Sequence, residues 1–203
     1  MLPTSPNSDQ RTARQFETRR SSRARTKLVE RLKRKGIRNP AVLDALETVP
    51  RHLFLDPEQF DNAYVDTALP IGHAQTISQP FVVALMSEMV LTAAKNNQRV
   101  LEIGTGCGYQ TAILSHLFDK VYSVERILSL SQRAKKNLEL LCINNATLQH
   151  SDGTDGWPGQ ETFDAIIVTA ASDNLPQPLL RLLKPDTCLI APIGAPGYQQ
   201  LTT

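Results

Sequence analysis

Aromatic side chains are scarce in this chain of 203 residues, at 5%, with a single tryptophan. Base stacking on a protein surface needs such rings, so single-stranded nucleic acid has little to lie on. Cysteine is sparse too: Cys107, Cys142 and Cys188 are odd in number, far apart and form no C-x-x-C pair. That suggests neither a disulfide framework nor a zinc site. Free thiols suit a reducing compartment, and a cytoplasmic protein is expected. No apolar run reaches the length of a membrane span, and no membrane association is expected. No apolar block follows the first basic residues, so a secretory signal is not expected. The four histidines, His52, His73, His116 and His150, lack metal-ligand spacing and read as loop or surface residues, and no metal is expected.

Acid is nearly missing from one end. Residues 1–38 carry twelve Lys/Arg against three Asp/Glu, a balance of +9, which leaves −7 for the rest of a chain whose total is +2. Residues 1–26 therefore read as a basic, mobile arm. A nucleic-acid or anionic-surface tether is one reading of it and a solvated tail the favoured one. The remainder, 27–203, reads as one domain, with N-terminal helices and a loop region over 27–98 and an α/β core over 99–203. A nucleic-acid partner is not expected, and a monomer is.

Apolar period places a helix from Lys27 to Gly36, and Asn39-Pro40 caps a second one. Residues 51–78 read as one long loop, more often functional than not at that length. A helix is expected over about Gln79–Ala94. Strands then alternate with amphipathic helices: Arg99–Ile103, Lys120–Glu125, Ala146–Ser151, Phe163–Ala170 and Thr187–Gly194, the third without a helix after it. Such alternation means a doubly wound α/β fold with a mostly parallel sheet covered on both faces. Trp157, in a loop with Gly156 and Pro158, reads as a packing anchor.

Between the first strand and its helix lies "GTGCG" (Gly104–Gly108). Open α/β sheets bind ligands at such a turn, where glycine lets a ligand lie against the backbone. The spacing G-x-G-x-G departs from the dinucleotide fingerprint and suits a nucleoside without a pyrophosphate. Glu125 ends the second strand and can accept from both ribose hydroxyls. Asp152 ends the third and can accept from the amine of adenine. Glu102 precedes the glycines, where it attracts a cationic ligand or holds the loop. Thr105 within the loop, Arg126 after Glu125 and Gly153 after Asp152 complete the candidate cofactor set. Upstream, "TISQP" sets the hydroxyls of Thr76 and Ser78 just before a Pro-started helix. A helix N-terminus is a ready anion site; Ser78 is either a simple N-cap or a group that orients a substrate carboxylate there.

"VLEIGTGCGYQTAIL", "VYSVERI", "SDGTDGW", "FDAIIVTAA" and "ALPIGHAQTISQPFVVALMSEMV" resemble the bacterial protein-L-isoaspartate O-methyltransferases, from about Lys27 to Leu201. The resemblance implies a seven-stranded class I methyltransferase fold, Rossmann-like, with S-adenosylmethionine as donor and S-adenosylhomocysteine as product. It implies isoaspartyl-containing proteins and peptides as substrates, methylated to start their repair. By position it makes Ser78 the active-site serine and Gly104, Gly106, Gly108, Glu125 and Asp152 cofactor residues. Another O-methyltransferase using the same donor, or a non-catalytic cofactor-binding fragment, stays open. Two departures stand out. Ala74 replaces a glycine and is expected to stiffen its loop. The chain stops at "YQQLTT", where the family goes on to a closing hairpin, so the last strand is expected to be a bare sheet edge.

Overall fold

The computed structural model describes residues 17–159, 161–170, 177–194 and 200–203. Residues 1–16 of the expected arm lie outside them. The first helix, α1 (Arg19–Arg34), starts eight residues before the expected Lys27. Its opening turns carry no apolar stripe and are set instead by a capping box between Thr18 and Ser21. Residues 19–26 are thus helix, not arm. Arg25 is buried there, and its Nη1 donates to Glu17 at 3.0 Å and to the Tyr64 hydroxyl at 3.4 Å. Leu28, Val29 and Leu32 form the buried stripe that docks α1 on α2 (Pro40–Thr48). Asn39 caps α2 as expected, its Oδ1 accepting from Ala41 N–H at 3.0 Å. No helix of the described residues is long and apolar enough to cross a membrane.

The segment expected as one long loop is ordered into short pieces. Two 3₁₀ turns, Arg51–Phe54 and Pro57–Asn62, precede a hairpin of β1 (Leu69–Gly72) and β2 (Gln75–Ile77). His52, expected as a loop or surface residue, is buried, with its Nδ1 2.8 Å from the Tyr64 hydroxyl. The hairpin turn is His73-Ala74, and both residues sit at φ +53°. Positive φ at both central positions is the type I′ geometry that favours Asn-Gly. An alanine there is strained by its Cβ, so Ala74 strains the turn rather than merely stiffening it. Ala74→Gly is expected to stabilise the protein by about 1 kcal/mol, raising Tm by ~2–4 °C in calorimetry. An unchanged or lower Tm would show that the turn relaxes without cost.

Helix α3 (Pro80–Ala93) leads to the sheet. Its strands are β3 (Arg99–Ile103), β4 (Lys120–Glu125), β5 (Ala146–His150), β6 (Phe163–Val168), β7 (Leu183–Ile193) and β8 (Gln200–Thr202), in the order β5-β4-β3-β6-β7-β8. The first five run parallel. Between them lie α4 (Tyr109–Ser115), α5 (Leu128–Leu140) and the single turn α6 (Gln177–Leu180). Side chains alternate along each strand, so the sheet feeds two cores. Val100, Ala165 and Ile167 join the core with the N-terminal helices, while Leu101, Ile166 and Val168 join the other. Trp157 anchors the second core's margin, 4.9 Å edge-to-face from Tyr122. The expected bare edge at β7 is corrected. β8 pairs antiparallel with it, Ala191 opposite Thr202 and Ile193 opposite Gln200, and occupies its N–H and C=O groups there. Apolar pattern missed β8 because only Leu201 of its three residues is apolar.

Candidate active site

The chain crosses from β3 to α4 through Gly104–Gly108, at the point where neighbouring strands run out to opposite sides, β4 one way and β6 the other. Ligands bind at the carboxyl ends of strands at such a switch point. Gly104 has φ +102°, and a Cβ on it would come within 2.7 Å of Thr169 Oγ1 and 3.2 Å of the Ala170 nitrogen. Only glycine fits there. Gly104 N–H donates to Val124 C=O at 2.8 Å, tying the loop to β4. Glu125 ties it further: Oε2 accepts from Gly106 N–H at 2.8 Å and Oε1 from Ile127 N–H at 2.9 Å.

A cleft of about 550 Å³ opens over this loop. Gly104, Gly106, Glu125, Arg126, Asp152 and Gly153 line it, six of the nine expected cofactor residues. The wall beneath is apolar, from Ile103, Val124, Val168 and Leu179. Asp152 is exposed, and its Oδ1 accepts from Thr154 Oγ1 at 2.7 Å and from Thr154 N–H at 3.0 Å. Those two bonds, the hydroxyl's first, hold its pKa below the ordinary carboxylate value. Oδ2 has no partner among the described residues, so an ionised acceptor faces the cleft. Two acids at neighbouring strand ends and an apolar floor fit a nucleoside with free ribose hydroxyls and an amino group.

Three expected cofactor residues point elsewhere. Glu102 is fully buried on the other face of the sheet, where strand alternation puts it with Val100, and it makes no contact with the cleft. Its Oε2 accepts from the hydroxyls of Thr111 and Ser123, while Oε1 has no partner among the described residues. Thr105 turns inward, with Oγ1 2.6 Å from Ser123 Oγ, so Glu102 bears on the loop through Ser123 and Thr105. Gly108 packs against α5, where a Cβ would lie 3.2 Å from that of Ala134.

Burial pushes the Glu102 carboxyl up to about 7 from an ordinary 4.5, more than the two hydroxyls lower it. The native state therefore holds a proton that the unfolded chain has released between those two values. Stability is expected to fall as pH rises from about 4.5 to 7, by up to ~1.4 kcal/mol for each pH unit crossed, and to level off above. Glu102→Gln should remove that slope in urea unfolding at pH 5 and pH 8. A slope that survives the substitution would assign it to another group.

The loop before α3 meets the glycine loop from the other side. Thr76 lines the cleft itself. A small crevice, about 40 Å³, adjoins it and is lined by Ser78, Tyr109 and Gln110, sharing Thr76, Gly104 and Thr169 with the cleft. Ser78 is not the N-cap. That position is Gln79, and the Phe81 N–H is taken by Asp66 Oδ1 at 2.9 Å. Asp66 Oδ2 binds Lys35 Nζ at 2.5 Å, and Gln79 Nε2 donates to the Asp66 carbonyl at 3.0 Å. The start of α3 thus already holds a carboxylate of the chain and is not the open anion site expected there. The Ser78 hydroxyl, relieved of capping, has no partner among the described residues.

Asp66 and Thr169 were not foreseen. Asp66 reaches α3 from fifteen residues upstream, and no local pattern announces it. Thr169 was readable as a strand-end hydroxyl: its Oγ1 donates to the carbonyls of Gly104 at 2.5 Å and Ile103 at 2.9 Å.

A family model described as protein-L-isoaspartate(D-aspartate) O-methyltransferase (PCMT) matches residues 23–203. The chain belongs to this family. A protein-L-isoaspartate O-methyltransferase of Pseudomonas fluorescens is 50% identical over 181 residues, covering 89% of this chain and 85% of the relative. One from Marinobacter nauticus is 52% identical over 174 residues, 86% of this chain and 79% of the relative. Among solved structures, a Plasmodium falciparum protein-L-isoaspartate O-methyltransferase in complex with S-adenosyl-L-homocysteine superposes with a TM-score of 0.76 at 29% identity, covering 87% of each chain. A class I fold with a mostly parallel sheet, as expected, is what this family membership and the strand order both show.

Proposed function

We propose that this protein-L-isoaspartate O-methyltransferase family member transfers a methyl group from S-adenosylmethionine to the free carboxylate of L-isoaspartyl residues in damaged proteins, in the cytoplasm and as a monomer. The carrying observation is that the Ser78 crevice opens on the cleft at the glycine loop. Glu125 and Asp152 would hold the ribose hydroxyls and the adenine amine. The donor, when bound, supplies an electrophilic methyl on a sulfonium. The substrate carboxylate is the nucleophile: its oxygen–carbon bond forms as the sulfur–carbon bond breaks, leaving a methyl ester and a neutral thioether. With a free pKa near ~4 it is ionised at neutral pH, and no residue has to remove a proton. The chain's own work is to orient: the Ser78 hydroxyl donates to one carboxylate oxygen and aims the other at the methyl, while Thr76 walls cleft and crevice alike. Orientation of two bound reactants can supply roughly 7–11 kcal/mol of barrier lowering.

The test is methyl incorporation into an isoaspartyl peptide beside its normal aspartyl twin. Transfer to the first alone is expected, and Ser78→Ala should lower that turnover while leaving S-adenosylhomocysteine affinity intact. Equal transfer to both peptides would make this a different O-methyltransferase. Tight S-adenosylhomocysteine binding without any transfer would reduce it to a cofactor-binding module.

A further inference from the structure

The outward face of α1 carries cations that the site does not use. Arg20, Arg23, Lys27, Arg31, Arg34 and Lys35 are all exposed. At 100° per residue they fall within an arc of about 120°, and at 1.5 Å per residue they run for about 22 Å. The buried stripe of Leu28, Val29 and Leu32 is centred about 130° away around the helix. Among the described residues only the two ends are paired: Arg20 with Asp61 at 3.1 Å and Lys35 with Asp66 at 2.5 Å. Among the described residues Arg23, Lys27, Arg31 and Arg34 have no ion-pair partner, and Glu30 is the one acid on the strip's flank. Like charges one helical turn apart repel, so crowding Arg23, Lys27, Arg31 and Arg34 on one face carries a cost.

We propose that this strip docks acidic stretches of the polypeptide substrate. The inference rests on the methyltransferase reading above. Its direction comes from the lower end. Lys35 binds Asp66, which caps α3 at Phe81, and Lys35 Nζ also lies 5.2 Å from the Phe81 ring. Phe81 stands three residues after Ser78, so the strip runs up to the loop that carries the candidate substrate serine. An extended polypeptide advances about 3.3 Å per residue, so six or seven residues flanking the isoaspartyl site span the strip. Carboxylates on alternate residues of that flank fall roughly 6.6 Å apart, close to the ~6 Å rise between helix positions i and i+4. Arginine suits carboxylates through paired N–H donors, and Arg23, Arg31 and Arg34 supply three such forks. A nucleic acid fits less well, because no exposed aromatic side chain stands on α1 for bases to stack on.

The experiment compares isoaspartyl peptides with a glutamate-rich and with an uncharged flank, on the wild-type chain and on the fourfold variant Arg23→Gln, Lys27→Gln, Arg31→Gln, Arg34→Gln. The four side chains are exposed, and an unchanged Tm confirms folding. The wild type should show a KM about tenfold lower for the acidic flank, with equal kcat, from four ion pairs of modest strength. The preference should vanish in the variant, and in about 1 M salt, where the screening length is ~3 Å. Fluorescence anisotropy of a labelled glutamate-rich peptide lacking isoaspartate reads the strip independently of turnover, so absent methylation tells against the activity and not against the strip. Equal KM values for both flanks, a preference that survives in the variant, or competition by polyuridylate but not by polyglutamate would overturn the proposal, the last in favour of nucleic acid.

Discussion

Glu125→Ala is expected to weaken S-adenosylhomocysteine binding by on the order of a hundredfold. Two losses combine in that figure. The first is the acceptor for the ribose hydroxyls: a hydrogen bond to a buried charge is worth about 1.5–3 kcal/mol. The second is the strut, because the same carboxylate receives the Gly106 and Ile127 N–H groups and so fixes the glycine loop against the start of α5. Glu125→Gln keeps one oxygen for these donors and should fall between wild type and alanine. Asp152→Ala should cost less than Glu125→Ala, since its carboxylate is exposed and its own bonds, both to Thr154, stay within one turn. Isothermal titration with S-adenosylhomocysteine gives all three affinities. If Glu125→Ala binds as the wild type does, the cleft is not the cofactor site.

The parts of this site set by local rules were legible, and those set by tertiary contact were not. The runs that form β3, β4 and β5 are closed by Gly104, by Glu125 and by Asp152-Gly153, so these three strand ends could be placed from pattern alone. The direction of Glu102 was also available, since period-two alternation opposes it to the cleft-facing Ile103. Its position next to the glycines suggests the cleft, but alternation along β3 decides the direction. The β1–β2 hairpin escaped because its turn is His-Ala where Asn-Gly would have signalled it, and its strands are only four and three residues long. The opening turns of α1 escaped because their buried residue is Arg25, which an apolar period does not count. Asp66 reaches the start of α3 by tertiary folding of the segment before it, which no apolar period records, and β8 offers that period only Leu201.

Arg51→Met is expected to hold or raise the melting temperature while it lowers turnover on isoaspartyl peptide by about tenfold. The guanidinium is fully buried, and its Nε and Nη1 have no hydrogen-bond partner among the described residues. Its Nη2 donates to the Thr67 carbonyl across a long 3.3 Å. Burial lowers its pKa, and the neighbouring Tyr109, Cys107 and Asp66, which act the other way, do not restore it. Asp66 is engaged with Lys35 and Phe81 already. A buried charge without a carboxylate partner costs several kcal/mol, and an apolar replacement of similar reach relieves that cost. What the residue provides in return is position. Its Cζ lies 5.0 Å above the ring of Tyr109, a wall of the Ser78 crevice, while Nη2 holds the segment just before β1. One side chain thus sets the spacing between the substrate loop and the start of α4. Without it the peptide KM should rise and kcat fall, with S-adenosylhomocysteine affinity unchanged because Glu125 and Asp152 are untouched. The tenfold figure corresponds to one charge-assisted hydrogen bond at the low end of its range, about 1.5 kcal/mol. Arg51→Lys keeps the charge and should recover part of the turnover at a lower Tm than the methionine variant. A Tm that drops in Arg51→Met while the peptide KM and kcat stay at wild-type values would make Arg51 a packing residue and nothing more.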